Sequence, residues 1–313
     1  MRRLLALLVL AAALGGCGLG SGDAAPAGGT ELTVSRNFGA EELGHSERKT
    51  IPGGETVMRQ LQRRFNVETR YGGGFVQNIE GVSGGRRSGR PVDWFFYVNG
   101  IEAESGAAAR RLSPGDRVWW DHHDWGGAMR VPAVVGSFPE PFKSGAQGKR
   151  LPVRIDCAQD SQRECREVRK RLDEAGAKVG GSGTLGTRAG PGVLRLLVGR
   201  WSEVRVDPTA RRIEKGPQVS GVFARPDAAG RHFELLDPRG QRVRSLGAGA
   251  GLVAATRFLD QQPTWVVTGT DDVGVAAAAA ALVETRLKDR FAIALENGRE
   301  VPLPLPSGGA GTP

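Results

Sequence analysis

The strongest constraint on folding in this sequence is an aromatic run that ends in a two-residue turn. Residues 94–98 read Trp-Phe-Phe-Tyr-Val, and aromatic and β-branched residues of this kind favour strands. Asn99-Gly100 follows, a dipeptide that suits a type I′ turn because both central residues need positive φ. Residues 101–104 are predicted to return as the partner strand. A second turn signal at 113–116 precedes another predicted strand at 118–121, so this region is expected to form a sheet.

Residues 1–17 have the pattern of a bacterial export signal. Arg2 and Arg3 give a positive start, residues 4–14 form an apolar run, and two glycines lead to Cys17. The apolar run is shorter than the about 20 residues that cross a bilayer. Its ending resembles a lipoprotein signal, which implies removal of residues 1–16, palmitate-type acylation of Cys17, and a cell-membrane location facing outside. An ordinary signal peptide with a chance cysteine is the alternative.

Composition divides the rest of the chain into a tether, two folded parts and a tail. Residues 17–30 are rich in Gly, Ala and Ser and are predicted to be a flexible tether. The predicted folded parts are residues 31–125 and 151–305. A linker punctuated by Pro and Gly is expected at 126–150, and a disordered tail at 306–313.

The second folded part is predicted to alternate strands and helices. Strands are expected at 151–156, 193–198, 264–268 and 291–295, helices around 165–175 and at 252–259 and 273–287, and a hairpin at 233–246. Alternation of this kind predicts a layered α/β domain. The fold class expected for the whole chain is therefore α+β.

Two cysteines remain once Cys17 is set aside. Cys157 and Cys165 form an even pair, and the predicted export places them in an oxidising compartment. We expect one disulfide between the end of a strand and the first turns of the helix that follows. Two free thiols are the alternative. A redox-active pair is less favoured, because the spacing is not Cys-x-x-Cys.

The chain is basic, with a formal net charge of +9. A basic protein outside the membrane could meet anionic lipid headgroups or acidic cell-wall polymer. The charge is spread along the sequence, so a general bias toward arginine explains it equally well. Neither a basic helix nor a base-reading motif is found, which argues against nucleic acid as a partner.

Three stretches between residues 32 and 125 resemble the transcobalamin C-terminal-like domain family. They are Gly54-Glu55-Thr56-Val57, the run 94–100 described above, and 112–120, which reads Leu-Ser-Pro-Gly-Asp-Arg-Val-Trp-Trp. The family is a β-grasp module often found on bacterial lipoproteins. The resemblance implies a β-grasp fold for residues 31–125 and recognition of a soluble ligand or partner outside the cell. Cobalamin carriers pair this module with an all-helical domain that is not visible here, so cobalamin binding does not carry over.

Four polar residues at the end of a predicted strand are the candidate metal ligands: Asp121, His122, His123 and Asp124. Imidazole and carboxylate groups suit Zn, Cu or Ni, and an imidazole could bind a corrin cobalt. Neighbouring strand residues point to opposite faces, so at most alternate members can converge on one ion. A polar strand end is the favoured interpretation. We expect no bound cofactor, with cobalamin or a metal ion as the alternatives.

Two further groups are candidates for ligand binding. Five aromatic residues could offer a flat stacking surface, namely Trp94, Tyr97, Trp119, Trp120 and Trp125. Alternation along a strand makes core packing the better interpretation for most of them. Asp271 and Asp272 follow a predicted strand end, where ligands of α/β sheets gather. Capping of the next helix is the simpler role for them.

These features favour a membrane-anchored extracytoplasmic lipoprotein that acts as a non-enzymatic ligand-binding or recognition module. The second hypothesis is an adaptor that binds another envelope protein or a cell-wall polymer. An extracytoplasmic enzyme ranks third, because no His-Glu-x-x-His motif occurs and no catalytic Cys-His arrangement is recognised. The expected partners are the membrane, through the lipid anchor, and a small molecule or an envelope protein. We expect a monomer.

Overall fold

The computed structural model describes residues 27–259 and 261–307. The predicted signal segment, Cys17 and the tether up to residue 26 lie outside the described residues. Residues 27–30, predicted as the end of the tether, instead begin the first strand, because Thr30 pairs with Arg48 in the next strand. Within the described residues, no helix is both long enough and apolar enough to cross a membrane.

The N-terminal part contains nine strands and one α-helix within the described residues. They are β1 (Ala27–Arg36), β2 (Glu41–Thr50), α1 (Val57–Arg64), β3 (Val67–Arg70), β4 (Phe75–Ile79), β5 (Val82–Ser83), β6 (Gly85–Arg87), β7 (Arg90–Val98), β8 (Ile101–Glu102) and β9 (Arg117–Asp124). A 3₁₀ turn spans Tyr71–Gly73. Asn99 and Gly100 both have positive φ, as the predicted two-residue turn requires.

The N-terminal sheet has the strand order β2-β1-β9-β7-β6, with β8 paired to β7. Its two central strands, β1 and β9, run parallel, and its other pairs are antiparallel. Helix α1 places Val57, Met58 and Leu61 against one face of this sheet, together with a small sheet of β3, β4 and β5. Thr56 caps the helix by accepting a hydrogen bond from the backbone N–H of Arg59.

The C-terminal part contains ten strands and five α-helices within the described residues. They are β10 (Val153–Cys157), α2 (Gln162–Glu174), β11 (Gly181–Thr184), β12 (Leu194–Arg200), α3 (Trp201–Val204), α4 (Pro217–Ser220), β13 (Ala224–Pro226), β14 (Phe233–Leu236), β15 (Arg242–Leu246), β16 (Gly251–Thr256), β17 (Thr264–Gly269), α5 (Asp272–Ala280), α6 (Glu284–Leu287), β18 (Ala292–Glu296) and β19 (Arg299–Leu303). Two 3₁₀ segments span Gln159–Ser161 and Ala210–Lys215.

The C-terminal sheet has the order β11-β10-β12-β17-β16-β18-β19. Its first four strands are parallel, and β16, β18 and β19 extend it with antiparallel pairs. Helices α2 and α5 pack on one face, around Val168, Leu172 and Ala278. Together the two sheets and their helices give an α+β protein with 19% helix and 38% strand, which confirms the expected fold class.

One of the predicted helices is instead a strand of this sheet. Residues 252–259 were expected to be helical, but β16 (Gly251–Thr256) is a fully buried strand between β17 and β18. A short apolar run buried on both faces has no alternating pattern, so periodicity cannot distinguish it from a helix. The helix predicted at 273–287 is two helices, α5 and α6, separated at residues 281–283.

Residues 126–150 connect the two parts without a helix or strand. Far from being an exposed connection, the segment buries Val134, Val135, Phe138 and Phe142. Its backbone forms hydrogen bonds to both the N-terminal and the C-terminal part. The N–H of Val134 donates to the carbonyl oxygen of Gly100, and the N–H of Val135 donates to that of Phe291. The expected linker is thus irregular in conformation and forms part of the core.

The two sheets share one apolar core. Phe38, Tyr97 and Trp119 from the N-terminal part lie in the same buried cluster as Leu197 and Phe291 from the C-terminal part. Arg117 also forms an ion pair across the contact, 2.7 Å from Glu284. Burial of aromatic rings from both sides makes this contact a large apolar interface.

The predicted disulfide is present. Cys157, the last residue of β10, is bonded to Cys165 in α2, with a Cα–Cα distance of 6.2 Å. This pairing ties the end of a strand to the first turns of the helix that packs on it, as expected.

Candidate functional site

The carboxylate of Asp121 on β9 is the centre of a buried hydrogen-bond network at the contact between the sheets. It is 0% exposed and accepts from the hydroxyl of Ser35 at 2.6 Å. It also accepts from the backbone N–H groups of Phe38, at 3.0 Å, and Gly39, at 2.8 Å. The Nδ1 atom of His123 lies 2.8 Å from the same carboxylate. Four polar groups thus satisfy one buried charge, as burial of a carboxylate requires.

The turn between β1 and β2 is held in an unusual backbone conformation by this network. Asn37, Phe38 and Gly39 all have positive φ, at 58°, 60° and 77°. A bulky residue such as Phe38 rarely adopts this region, and the cost is about 1–3 kcal/mol. Gly39 also approaches the carbonyl oxygen of Asp289 so closely that a Cβ atom there would lie 2.0 Å from it. The two hydrogen bonds to Asp121 offset this strain.

His123 is enclosed by aromatic rings. Its ring centroid is 4.6 Å from that of Phe38 and 4.5 Å from that of Phe95, with an edge contact to Phe291. Since Nδ1 faces the Asp121 carboxylate, Nδ1 carries the proton that this bond needs. The imidazole therefore acts as a packed, oriented part of the interface.

His122 points to the other face of the N-terminal sheet. Its Nε2 atom is 3.0 Å from the carbonyl oxygen of Ser83, and its ring packs 5.1 Å from Trp94. Burial lowers the pKa of His122, so its imidazole is neutral at neutral pH. Alternation along β9 thus separates the two histidines, as the sequence indicates.

The four candidate metal ligands do not converge. Asp124 accepts from the N–H of Gly126 and lies 3.8 Å from Arg90, away from the Asp121–His123 pair. Among residues 27–259 and 261–307, no group of three or more His, Cys, Asp or Glu side chains could hold a metal ion. The interpretation of residues 121–124 as a metal centre is therefore not supported by their geometry.

A cleft of about 640 Å³ opens beside this network, between the two parts of the chain. We call it the interface cleft. Its lining combines apolar groups with two arginines at the rim and comes from the strained turn, β6–β7, the end of β9 and the C-terminal segment: Asn37, Phe38, Ala40, Arg87, Ser88, Arg90, Val92, His122, His123, Asp124, Pro238, Pro304, Leu305, Pro306 and Ser307. A volume of this size is typical of small-molecule sites.

The aromatic residues proposed as a stacking surface are mostly buried. Trp94 and Trp120 belong to the core under α1, whereas Tyr97 and Trp119 belong to the core shared by the two sheets. Trp125 is half-buried and donates its indole N–H to Asp93. The stacking interpretation is wrong for the first four, because both faces of the N-terminal sheet are covered.

Asp271 and Asp272 have structural partners. Asp271 caps α5 by accepting from the N–H of Gly274, and it also accepts from the N–H of Gly249. Asp272 is exposed and forms an ion pair with Arg200. The capping role favoured from the sequence thus belongs to Asp271, and neither side chain lines the interface cleft.

Two short stretches match the catalytic sequence motifs Gly-x-Ser-x-Gly and Ser-x-x-Lys but lack the structure that such motifs require. Residues 81–85 read Gly-Val-Ser-Gly-Gly, but Ser83 ends a two-residue strand that is followed by β6 instead of a helix. Residues 46–49 read Ser-Glu-Arg-Lys and lie inside β2. A nucleophile elbow needs a strand–turn–helix, so residues 81–85 do not form one.

Asp289, whose backbone carbonyl oxygen lies beside Gly39, carries a carboxyl group that is expected to make stability depend on pH. Burial, helped by the negative charges of Glu42 and Glu31 and opposed by Lys288 and Arg290, raises the pKa of Asp289 to about 6. Between about pH 4 and pH 6, the carboxyl group of Asp289 therefore keeps a proton in the folded state that it loses in the unfolded state. Stability from this group is greatest below about pH 4 and is lost as pH rises through about 6.

We expect Asp289→Asn to remove this pH dependence. Its urea midpoint should exceed that of the unchanged protein at pH 7.5, and the difference should shrink toward pH 4.5. Glu68→Gln, at an exposed carboxylate on β3, is the matched control. Parallel profiles for Asp289→Asn and the unchanged protein would contradict the assignment.

One family model matches a segment of the N-terminal part. The model of the family described as "Domain of unknown function (DUF4430)" matches residues 54–124, which include Asp121 and His123 on β9 but neither the β1–β2 turn that bonds to Asp121 nor the C-terminal sheet. The search of curated proteins found no match.

Two solved structures are similar to part of the chain. One is a "putative metal binding protein" from Ruminococcus gnavus ATCC 29149, with 12% identity and a TM-score of 0.25, covering 31% of this chain and 97% of that one. The other is haptocorrin in complex with Cbi, with 15% identity and a TM-score of 0.26, covering 33% of this chain and 27% of that one.

Part of this site is predictable from the sequence. The composition of residues 121–124 marks them as candidates. Ser35, Phe38 and Gly39 are not predictable in this way, because their bonds to Asp121 span more than 80 positions. The one local signal is the Asn-Phe-Gly sequence at 37–39, since Asn and Gly tolerate positive φ.

Proposed function

We propose that this protein is a lipid-anchored, extracytoplasmic binding protein that takes up a small molecule in the interface cleft and catalyses no reaction. The observation that carries this proposal is the cleft of about 640 Å³ beside the Asp121 network. A strained turn held by a buried carboxylate gives the cleft a preformed wall. Preformed walls lower the entropic cost of binding.

The lining of the cleft defines the class of ligand. Phe38, Val92 and Leu305 supply apolar contact. Of the two lining arginines, Arg90 lies 3.8 Å from Asp124, whereas Arg87 forms no ion pair with the described residues. Arginine pairs well with carboxylate or phosphate groups. We therefore propose a ligand with an apolar body and one negatively charged group.

The N-terminal sheet supports the finer assignment to a β-grasp module. A hairpin, a helix crossing one face, and a parallel pair of central strands are the expected arrangement for such a fold. The DUF4430 match overlaps the stretches that resemble the transcobalamin C-terminal-like family. Membership of a family of extracytoplasmic recognition modules is consistent with export through the predicted lipoprotein signal.

Native mass spectrometry of protein taken from its own membrane tests this proposal. We expect a chain that begins at Cys17, carries acyl groups and retains a small molecule. Ala40→Phe should fill the exposed mouth of the cleft and remove the bound molecule, because Ala40 lines it. Ala108→Phe, at an exposed position outside the lining, is the matched control and should retain it.

Three results would contradict the proposal in different ways. An unprocessed, unacylated start would remove the membrane anchor. A bound molecule that survives in Ala40→Phe would place the ligand elsewhere. A stoichiometric protein partner with no small molecule would favour the adaptor hypothesis.

A further inference from the structure

A second cleft, of about 760 Å³, lies on the C-terminal part, and its lining is strongly basic. It is bounded by the loop before β12 and the 3₁₀ segment Ala210–Lys215. We call it the basic cleft. Its cationic lining residues are Arg188, Arg195, Arg211, Arg212 and Lys215, and the carboxylate among the described lining residues is Asp207.

The charge of this cleft is not neutralised by its one carboxylate. Arg195 on β12 is half-buried and lies between Asp156, at 3.0 Å, and Asp207, at 2.7 Å. Arg154 also pairs with Asp156, so these four groups balance one another. In the described part of the chain, the four other cations of the lining form no ion pair. The described lining residues therefore carry an excess of positive charge.

Exposed apolar side chains surround the same cleft. The large apolar side chains exposed in the described residues are Tyr71, Met129, Val206, Phe258, Leu259 and Val273. Half of them are at the basic cleft: Phe258 lines it, Leu259 follows Phe258, and Val206 precedes Asp207. Leu259 is 74% exposed, and Arg212 lies over the Phe258 ring at 4.9 Å. Clustering of this kind on a protein surface marks an interaction site.

We infer that this face docks on the surface of a membrane that contains anionic phospholipid. Lipid phosphates would occupy the basic cleft, where arginines can bind them with paired hydrogen bonds. Phe258 and Leu259 would enter the boundary between headgroups and acyl chains, which suits apolar side chains beside basic ones. A free phosphate ester would bind the cations of the basic cleft but would leave Phe258 and Leu259 in water. The cations and the exposed apolar side chains together therefore favour a membrane as the partner.

This inference goes beyond the proposed function. It uses neither the interface cleft nor the acyl group of Cys17. A chain that starts at residue 18 keeps every described residue and carries no lipid. Its binding to vesicles therefore measures the affinity of the basic cleft and its apolar neighbours without any contribution from an acyl group.

Co-sedimentation with vesicles tests the docking face. We expect this chain to bind vesicles that contain phosphatidylglycerol, to bind pure phosphatidylcholine weakly, and to dissociate as salt is raised. Each cation near an anionic surface contributes about five-fold in affinity. Arg211→Glu/Lys215→Glu should therefore weaken binding by at least about 30-fold. Leu259→Ser should weaken binding at both low and high salt.

The matched control is Arg163→Glu/Arg166→Glu, which makes the same change of charge on the exposed side of α2. Helix α2 packs on the opposite face of the C-terminal sheet, so this variant should keep most of the binding. Equal losses in the two double variants would overturn the inference, because only net charge would then matter. Full displacement by glycerol phosphate with no effect of Leu259→Ser would also overturn it, in favour of a soluble phosphate ester.

Discussion

Replacing Asp121 with alanine is expected to lower the free energy of unfolding by about 3–5 kcal/mol. The change leaves the His123 imidazole and the N–H groups of Phe38 and Gly39 buried without their acceptor. Each unsatisfied buried group costs about 1–3 kcal/mol. The turn also loses the bonds that offset its positive φ values. Urea unfolding followed by tryptophan fluorescence measures the loss.

Asp124→Ala provides the control on the same strand. Asp124 is partly exposed, accepts from the nearby N–H of Gly126 and is 3.8 Å from Arg90. Exposed pairs of this kind contribute about 0–1 kcal/mol. A loss of less than about 1 kcal/mol for Asp121→Ala as well would show that the buried carboxylate does not hold the turn.

Replacing Phe291 with alanine is expected to cost about 3–5 kcal/mol of stability, for a different reason. Phe291 is 2% exposed and precedes β18, and its ring meets Phe38, Tyr97, Trp119 and His123 with centroids 5.0–5.7 Å away. Truncation leaves a cavity at the contact of the two sheets that the rigid strands on either side cannot close. A chemical denaturation curve gives the change.

Tyr71→Ala is the matched aromatic truncation. Tyr71 is 86% exposed, so its loss should change stability by no more than about 0.5 kcal/mol. Equal urea midpoints for Phe291→Ala and Tyr71→Ala would contradict this prediction. They would show that the aromatic rings around Phe291 do not stabilise the contact between the two sheets.

Much of the fold is predictable because several elements carry strong local signals. The aromatic run and Asn99-Gly100 specify β7 and its turn. Val57, Met58, Leu61 and Phe65 recur at the spacing of one helix face, and this spacing specifies α1. The pairing of Cys157 with Cys165 is predictable because they are the two cysteines left once Cys17 is set aside, and they are only eight positions apart. In each case the residues that determine the structure are close together in the sequence.

The rest depends on partners that are distant in sequence. Strand β2 reads Glu-Glu-Leu-Gly-His-Ser-Glu-Arg-Lys-Thr, which is polar because it lies at the edge of the sheet, so it carries no apolar alternation. Strand β16 is apolar throughout because it is covered on both faces. The Asp121 network joins β9 to a turn near the start of the chain, and no local pattern reports that contact.

The parallel pairing of β1 with β9 has a consequence for the order of folding. Ser35 and Asp121, which bond across this pair, are 86 positions apart, so closing it carries a large chain-entropy cost. High contact order of this kind slows folding. The β1–β2 hairpin keeps an unpaired edge on β1 until β9 folds against it. During that interval the partly folded chain is prone to edge-to-edge aggregation.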